Sequence, residues 1–228
     1  MLHDLLSLLF PRICYACKGV LSRGEDFICT DCNIKLPYTE YHVHGGAAEN
    51  QLLQRFWGKV PLRFAFSYLH FRAKGRVQHL LHELKYRGAQ ELGEHLGFRY
   101  GSLLSDHHYA LQLDLVLPVP LHQSKLRKRG YNQSDSVAEG MARALQLPWH
   151  QQVLERTLNT ATQTKKGRLE RWQNVEDIFV VRQPELVQGK RILLVDDVLT
   201  TGATLEACAV ALLAAGCEEV SVATIAAA

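Results

Sequence analysis

The run from Leu193 to Thr204 constrains this chain more than any other stretch of it. An apolar segment, Ile192 to Val195, ends in two adjacent carboxylates, Asp196 and Asp197. A small hydroxyl-rich turn follows, made of Thr200, Thr201, Gly202, Ala203 and Thr204, and it leads into a helical pattern. A strand, a turn and a helix N-terminus in that order leave backbone N–H groups free to hold a phosphate. Gly202 lets the backbone come close to an anion. Each threonine hydroxyl adds roughly 1.5–3 kcal/mol toward a charged partner, and the helix dipole adds about 0.3–1 kcal/mol more. An ionised carboxylate only accepts hydrogen bonds, so Asp196 and Asp197 need donors, which the vicinal hydroxyls of a sugar supply. The run therefore predicts a pocket for a ribose 5-phosphate, against the plainer alternative of a strand closed by a capped turn.

The N-terminal region carries a different chemistry. Cys14 and Cys17, then Cys29 and Cys32, form two C-x2-C pairs separated by eleven residues. This is the spacing of a closed tetrahedral zinc site in two knuckles. Two disulfides would need an oxidising compartment that nothing else in the sequence suggests. With four thiolates available, His42 and His44 read as surface imidazoles, and Cys208 and Cys217 as small buried apolar residues. Met1 to Phe10 reads as a short packing helix, because Asp4 stands where a secretory leader would be basic. Residues 33–61 read as a connector whose Leu52, Leu53, Phe56 and Trp57 pack onto a domain face.

Beyond the connector, strands and helices alternate. Leu62 to Phe71 reads as a strand. Val77, Leu80, Leu81 and Leu84 recur at helical spacing, and Lys85 sits at the end of that helix beside Gly88. There Lys85 either complements the helix dipole or serves a ligand. Asp114 to Val119 reads as the next strand, followed by a basic loop, Lys125 to Asn132, and a helix on Val137, Met141 and Leu145. The loop suits a pyrophosphate group, which Arg127 and Arg129 can engage in a bidentate fork, or alternatively a nucleic-acid backbone. A final strand spans Glu219 to Ile225. Such alternation implies a mostly parallel sheet with helices on both faces and a ligand beyond the strands' carboxyl ends. Neither a G-x-G-x-x-G nor a Walker A sequence occurs, which argues against NAD or ATP.

The Leu193–Thr204 run resembles the phosphoribosyl-pyrophosphate (PRPP) signature of type I phosphoribosyltransferases. Leu84 to Gly88, Pro118 to Leu121, Arg127 to Ser134, and Gln163-Thr164 with Arg171 to Asn174 narrow the resemblance to the ComF (GntX-like) branch. It implies an α/β type I phosphoribosyltransferase fold with a mobile hood, plus a small N-terminal four-cysteine zinc knuckle module. It implies that Asp196 and Asp197 hold the ribose hydroxyls and carry catalysis, and that residues 200–204 hold the 5-phosphate. Lys85, Val119, Pro120, Arg127, Lys128 and Arg129 would bind pyrophosphate, and Lys165, Lys166, Arg168 and Arg171 would lie in the hood. The cofactors implied are structural zinc and magnesium bound with PRPP.

The expected division is 1–60 for the helix, zinc module and connector, and 61–228 for the phosphoribosyltransferase-like domain. The expected activity is transfer of 5-phosphoribosyl to an unidentified nitrogen acceptor in a protein linked to DNA uptake or use. The alternative is a non-catalytic accessory protein that binds PRPP or single-stranded DNA. The protein is expected to be cytoplasmic, and its composition is that of an ordinary globular protein. The 228 residues are 47% apolar and 21% charged with a net charge of +3, and no apolar run is long enough to span a membrane.

Overall fold

In the computed structural model, residues 11–157 and 178–228 are described. The expected helix at Met1–Phe10 and the hood residues Lys165, Lys166, Arg168 and Arg171 fall outside them. The centre is a four-stranded parallel sheet of β1 (Ala65–His70), β2 (Leu115–Pro118), β5 (Arg191–Leu199) and β6 (Glu219–Ala227), in the order β1-β6-β5-β2. A separate antiparallel ribbon pairs β3 (Leu154–Arg156) with β4 (Phe179–Val181). On β5 the apolar residues divide by parity. Leu193 and Val195 enter one core and Ile192 and Leu194 the other. That two-sided burial explains why the strand reads as an unbroken apolar run.

Helices cover both faces. On the first lie α3 (Arg76–Tyr86), α4 (Gln90–Asp106) and α6 (Gln133–Leu145), packed through Leu80, Leu84, Leu96, Tyr100, Val137 and Met141. On the second lie α2 (Gln51–Gln54) and α7 (Ala203–Ala214), with Leu52, Phe56, Leu205, Cys208 and Leu212 buried. The cysteine-rich segment and α1 (Thr30–Lys35) are continuous with the first core through Cys14, Ala16, Ile28, Cys32 and Leu36. No helix among the described residues is long and apolar enough to cross a membrane.

Helix α4, the basic loop and the setting of His42 differ from the sequence reading. The 17-residue helix α4 was not foreseen, because Gly93, Gly97 and Gly101 interrupt its apolar pattern. Those glycines share one face and let α4 touch the backbone of α6: a Cβ on Gly97 would lie 2.2 Å from the Val137 carbonyl oxygen. The basic loop is largely a helix, α5 (Gln123–Arg129), capped by the His122 side chain and stopped by Gly130 at φ 87°. Its Gln, Lys, Leu and Arg residues are good helix formers. His42 is half-buried rather than on the surface, set edge-on to Tyr100 and His107, and burial lowers its pKa. His44 is exposed as expected, and Cys208 and Cys217 are buried.

Candidate functional site

The carboxyl ends of β2 and β5 carry the site. Parallel pairing sets Pro118 beside Val195, and the Val119 N–H donates to the Val195 carbonyl at 2.8 Å. The turn after Pro118 and the turn after Leu199 therefore open at the same edge. Gly202, at φ 85°, is the N-cap of α7, a left-handed conformation open to glycine at little cost. Thr200, Thr201 and Ala203 are exposed around it, Thr204 is half-buried, and the Ala203 N–H faces the Thr201 hydroxyl at 3.4 Å. The first N–H groups of a 12-residue helix thus stand at an exposed hydroxyl-lined turn, an arrangement that accepts phosphate.

The two carboxylates have different surroundings. Asp197 is 3% exposed, and its Oδ2 lies 2.9 Å from Lys85 Nζ, at the end of α3. Asp196 Oδ1 accepts from Ser134 Oγ at 2.9 Å, in the first turn of α6, and from the Asp197 N–H at 2.8 Å. Burial, and then the neighbouring Asp197 charge, push the Asp196 carboxyl up to about 7. Folded Asp196 therefore keeps its proton where the unfolded residue has lost it. Its contribution to stability is present below about pH 4 and is lost as pH rises toward 7. Asp196→Asn should raise the Tm at about pH 8, by ~2–4 °C for each kcal/mol gained, with the gain shrinking toward about pH 4. Thermal unfolding at the two pH values checks this, and a lower Tm at the higher pH would contradict it.

Cations gather beside the acidic pair. A cavity of about 320 Å³ is lined by Lys85, Tyr86, Gly88, Lys125, Lys128 and Arg129. Residues 125, 128 and 129 share a face of α5, whereas Arg127 is exposed and lies outside the cavity lining. The Arg129 guanidinium sits 5.4 Å over the Tyr86 ring and donates to Gln133 Oε1. Asn132 ties α6 to the turn after β2, its Nδ2 donating to the Val119 carbonyl at 3.0 Å and to Asp135 Oδ1 at 2.6 Å. Pro120 is half-buried and Val119 buried, and neither side chain carries charge.

The four N-terminal cysteines converge. Their Sγ atoms all lie within 4.8 Å of one another, and the Cys29 N–H donates to Cys14 Sγ at 3.3 Å and the Gly19 N–H to Cys17 Sγ at 3.4 Å. Arg76 Nε donates to Cys32 Sγ at 3.3 Å. Burial alone would raise Cys14, but N–H groups of Cys29, Cys17 and Ala16 bring it down to about 7. Four soft donors with N–H groups turned on the sulfurs form a site that can hold a metal ion.

Sequence reasoning missed Ser134, which orients Asp196, and Arg55, whose Nη1 donates to the Thr200 carbonyl at 3.1 Å. It also missed Tyr86. Ser134 lies within the Arg127–Ser134 stretch, but its partner is 62 residues away, beyond any local pattern.

A hydroxyl-lined turn at a helix N-terminus, an acidic pair and a cationic cavity stand together at one edge of a parallel sheet, in a protein of the phosphoribosyltransferase fold. A phosphoribosyl transferase domain family model matches residues 108–228. The DNA utilization protein YhgH of Escherichia coli K12 is 30% identical over 94% of this chain and 96% of its own. Competence protein F of Haemophilus influenzae is 26% identical over 92% and 94%, and competence protein ComFC of Bacillus subtilis 29% over 92% and 82%. The chain belongs to the ComF (GntX-like) family. A solved allosteric regulatory enzyme of purine biosynthesis is 24% identical with a TM-score of 0.45, aligned over 63% of this chain and 29% of that one. This chain thus spans less than a third of that enzyme's length.

Proposed function

We propose that the protein binds PRPP and transfers its 5-phosphoribosyl group to a nitrogen acceptor. The observation that carries this reading is the Lys85–Asp197 ion pair at 2.9 Å, which joins the cationic cavity to the acidic pair. The turn at residues 200–204 would hold the 5-phosphate, Asp196 and Asp197 the ribose hydroxyls, and Lys85, Lys125, Lys128 and Arg129 the pyrophosphate. In the reaction the acceptor nitrogen forms a bond to C1 as the bond from C1 to pyrophosphate oxygen breaks. The electron pair leaves with pyrophosphate, and the nitrogen gives up its proton to solvent or base. Fixed carboxylates favour the positive charge that develops at C1. Magnesium supplies neutralisation of the leaving pyrophosphate, and we assign it to the ligand rather than to a protein cage. Among the described residues the four cysteines are the one group of three or more Cys, His, Asp or Glu placed to share an ion. For that group we propose structural zinc, and its thiolate chemistry favours a reducing, cytoplasmic setting. The boundary near residue 60 is part of the same proposal.

A panel of nucleobases and amines incubated with PRPP and Mg²⁺ should include one that releases pyrophosphate above the acceptor-free rate. Tight PRPP binding with no release across the panel would count against transfer.

A second reading, an accessory protein in the handling of DNA, draws on the exposed Lys125 and Lys128 of α5, which line one cavity with Tyr86, itself 66% exposed. Cations next to an exposed aromatic ring suit single-stranded DNA, and the relatives' names point to DNA use and competence. Single-stranded DNA binding that weakens steeply with salt would favour it; no binding at low salt would remove it.

A further inference from the structure

We propose that Arg55 completes the 5-phosphate subsite, as a cation lent by the connector to the turn between β5 and α7. This rests on the PRPP reading above. The turn itself offers a phosphate only hydroxyls, backbone N–H groups and a helix dipole, since no basic residue occurs between Ile192 and Ala228. Arg55 brings a full charge to it. Its Nη1 donates to the carbonyl of Thr200, the first residue of the turn, at 3.1 Å.

The placement is fixed twice over. Phe56, the next residue, is 1% exposed and lies under the third residue of the turn: a Cβ on Gly202 would sit 3.1 Å from Phe56 Cε1. Upstream, Asn50 caps α2 by accepting from the Leu52 and Leu53 N–H groups, and its Nδ2 donates to the Gly45 and Ala65 carbonyls at 2.9 Å each. The connector is therefore anchored to β1 on one side and to the turn on the other.

Among the described residues Arg55 has no carboxylate partner, and its bond to Thr200 uses one guanidinium N–H. A guanidinium carries five N–H donors in a planar fork matched to phosphate oxygens. The Thr200 carbonyl can hold one while the remainder serve a 5-phosphate.

The test titrates the full-length protein, as wild type and as Arg55→Ala, Arg55→Gln and Arg55→Lys, with PRPP, ribose 5-phosphate and inorganic pyrophosphate. Arg55→Ala should weaken both sugar phosphates by about tenfold or more, the range of a charge-assisted hydrogen bond, and leave pyrophosphate unchanged. Arg55→Lys should recover part of the loss, whereas Arg55→Gln, which keeps a donor for Thr200 without the charge, should not. Recovery by Gln would overturn the inference in favour of a purely structural tie. Wild-type affinity in Arg55→Ala, or an equal loss of pyrophosphate, would also overturn it. A wild-type protein that binds none of the three ligands overturns the PRPP reading, and this inference with it.

Discussion

Asp197→Asn should lower PRPP affinity by at least about 100-fold while the domain stays folded. Asp197 is 3% exposed, so hydrogen bonds to its carboxylate are little weakened by competition with water. Two hydrogen bonds to a charged acceptor are together worth roughly 3–6 kcal/mol, and each 1.4 kcal/mol is about tenfold in affinity. The substitution also removes the ion-pair partner of Lys85. Breaking a fully buried pair costs about 3–5 kcal/mol, but Lys85 is 23% exposed and can turn to water, so a smaller loss of stability is expected. Calorimetric titration with PRPP, beside thermal unfolding of the same variant, separates the two effects. Affinity within about threefold of wild type, below the worth of a single such bond, would show that the acidic pair does not hold the ligand. The contrast with Asp196→Asn is informative, because that change should stabilise the protein above neutral pH.

Removing metal from the cysteine cluster should have the larger effect on the whole molecule. Structural zinc sites bind with apparent free energies of about 10–16 kcal/mol, comparable with the entire ~5–15 kcal/mol stability of a domain. Here the cluster is not a detached appendage: Cys14, Ala16, Ile28 and Leu36 share a core with Phe66, Leu80 and Leu84. Three residues of α3 grip the module. Arg76 donates to Cys32 Sγ at 3.3 Å, His79 Nδ1 meets the Ala16 carbonyl at 2.8 Å, and Glu83 pairs with Lys18 at 2.5 Å. Two residues beyond Glu83 stands Lys85, the partner of Asp197. Chelation should therefore lower Tm by roughly 10 °C or more and weaken PRPP binding, through the helix that carries Lys85. Cys32→Ser should do the same without a chelator. Metal analysis should find about one zinc per chain. A metal-free protein with unchanged Tm and all four thiols titratable would contradict a structural role for the metal.

How much could be read in advance depended on distance along the chain. The strand, acidic pair, turn and helix from Ile192 to Thr204 are contiguous, so local rules captured them, as they captured the C-x2-C pairs and the helix on Val77 to Leu84. Lys85 and Arg129 were legible as candidates, but not the cavity that joins them, because α5 looked like a loop. Its helical face selects Lys125 and Lys128 over Arg127. Helix α4 hid behind glycines whose purpose is contact with α6, a tertiary fact. Ser134 with Asp196, and Arg55 with Thr200, are separated by 62 and 145 residues, and no periodicity reports such pairs. The connector reading placed Phe56 in an apolar patch without showing that the patch underlies Gly202.

The most direct measurement is a calorimetric titration of the wild-type, metal-loaded protein with PRPP, with and without Mg²⁺. The expected result is saturable binding at one site per chain, tightened by Mg²⁺, and competition by both ribose 5-phosphate and pyrophosphate. No heat of binding under either condition, with the protein folded and metal-loaded, would contradict PRPP as the ligand of this site.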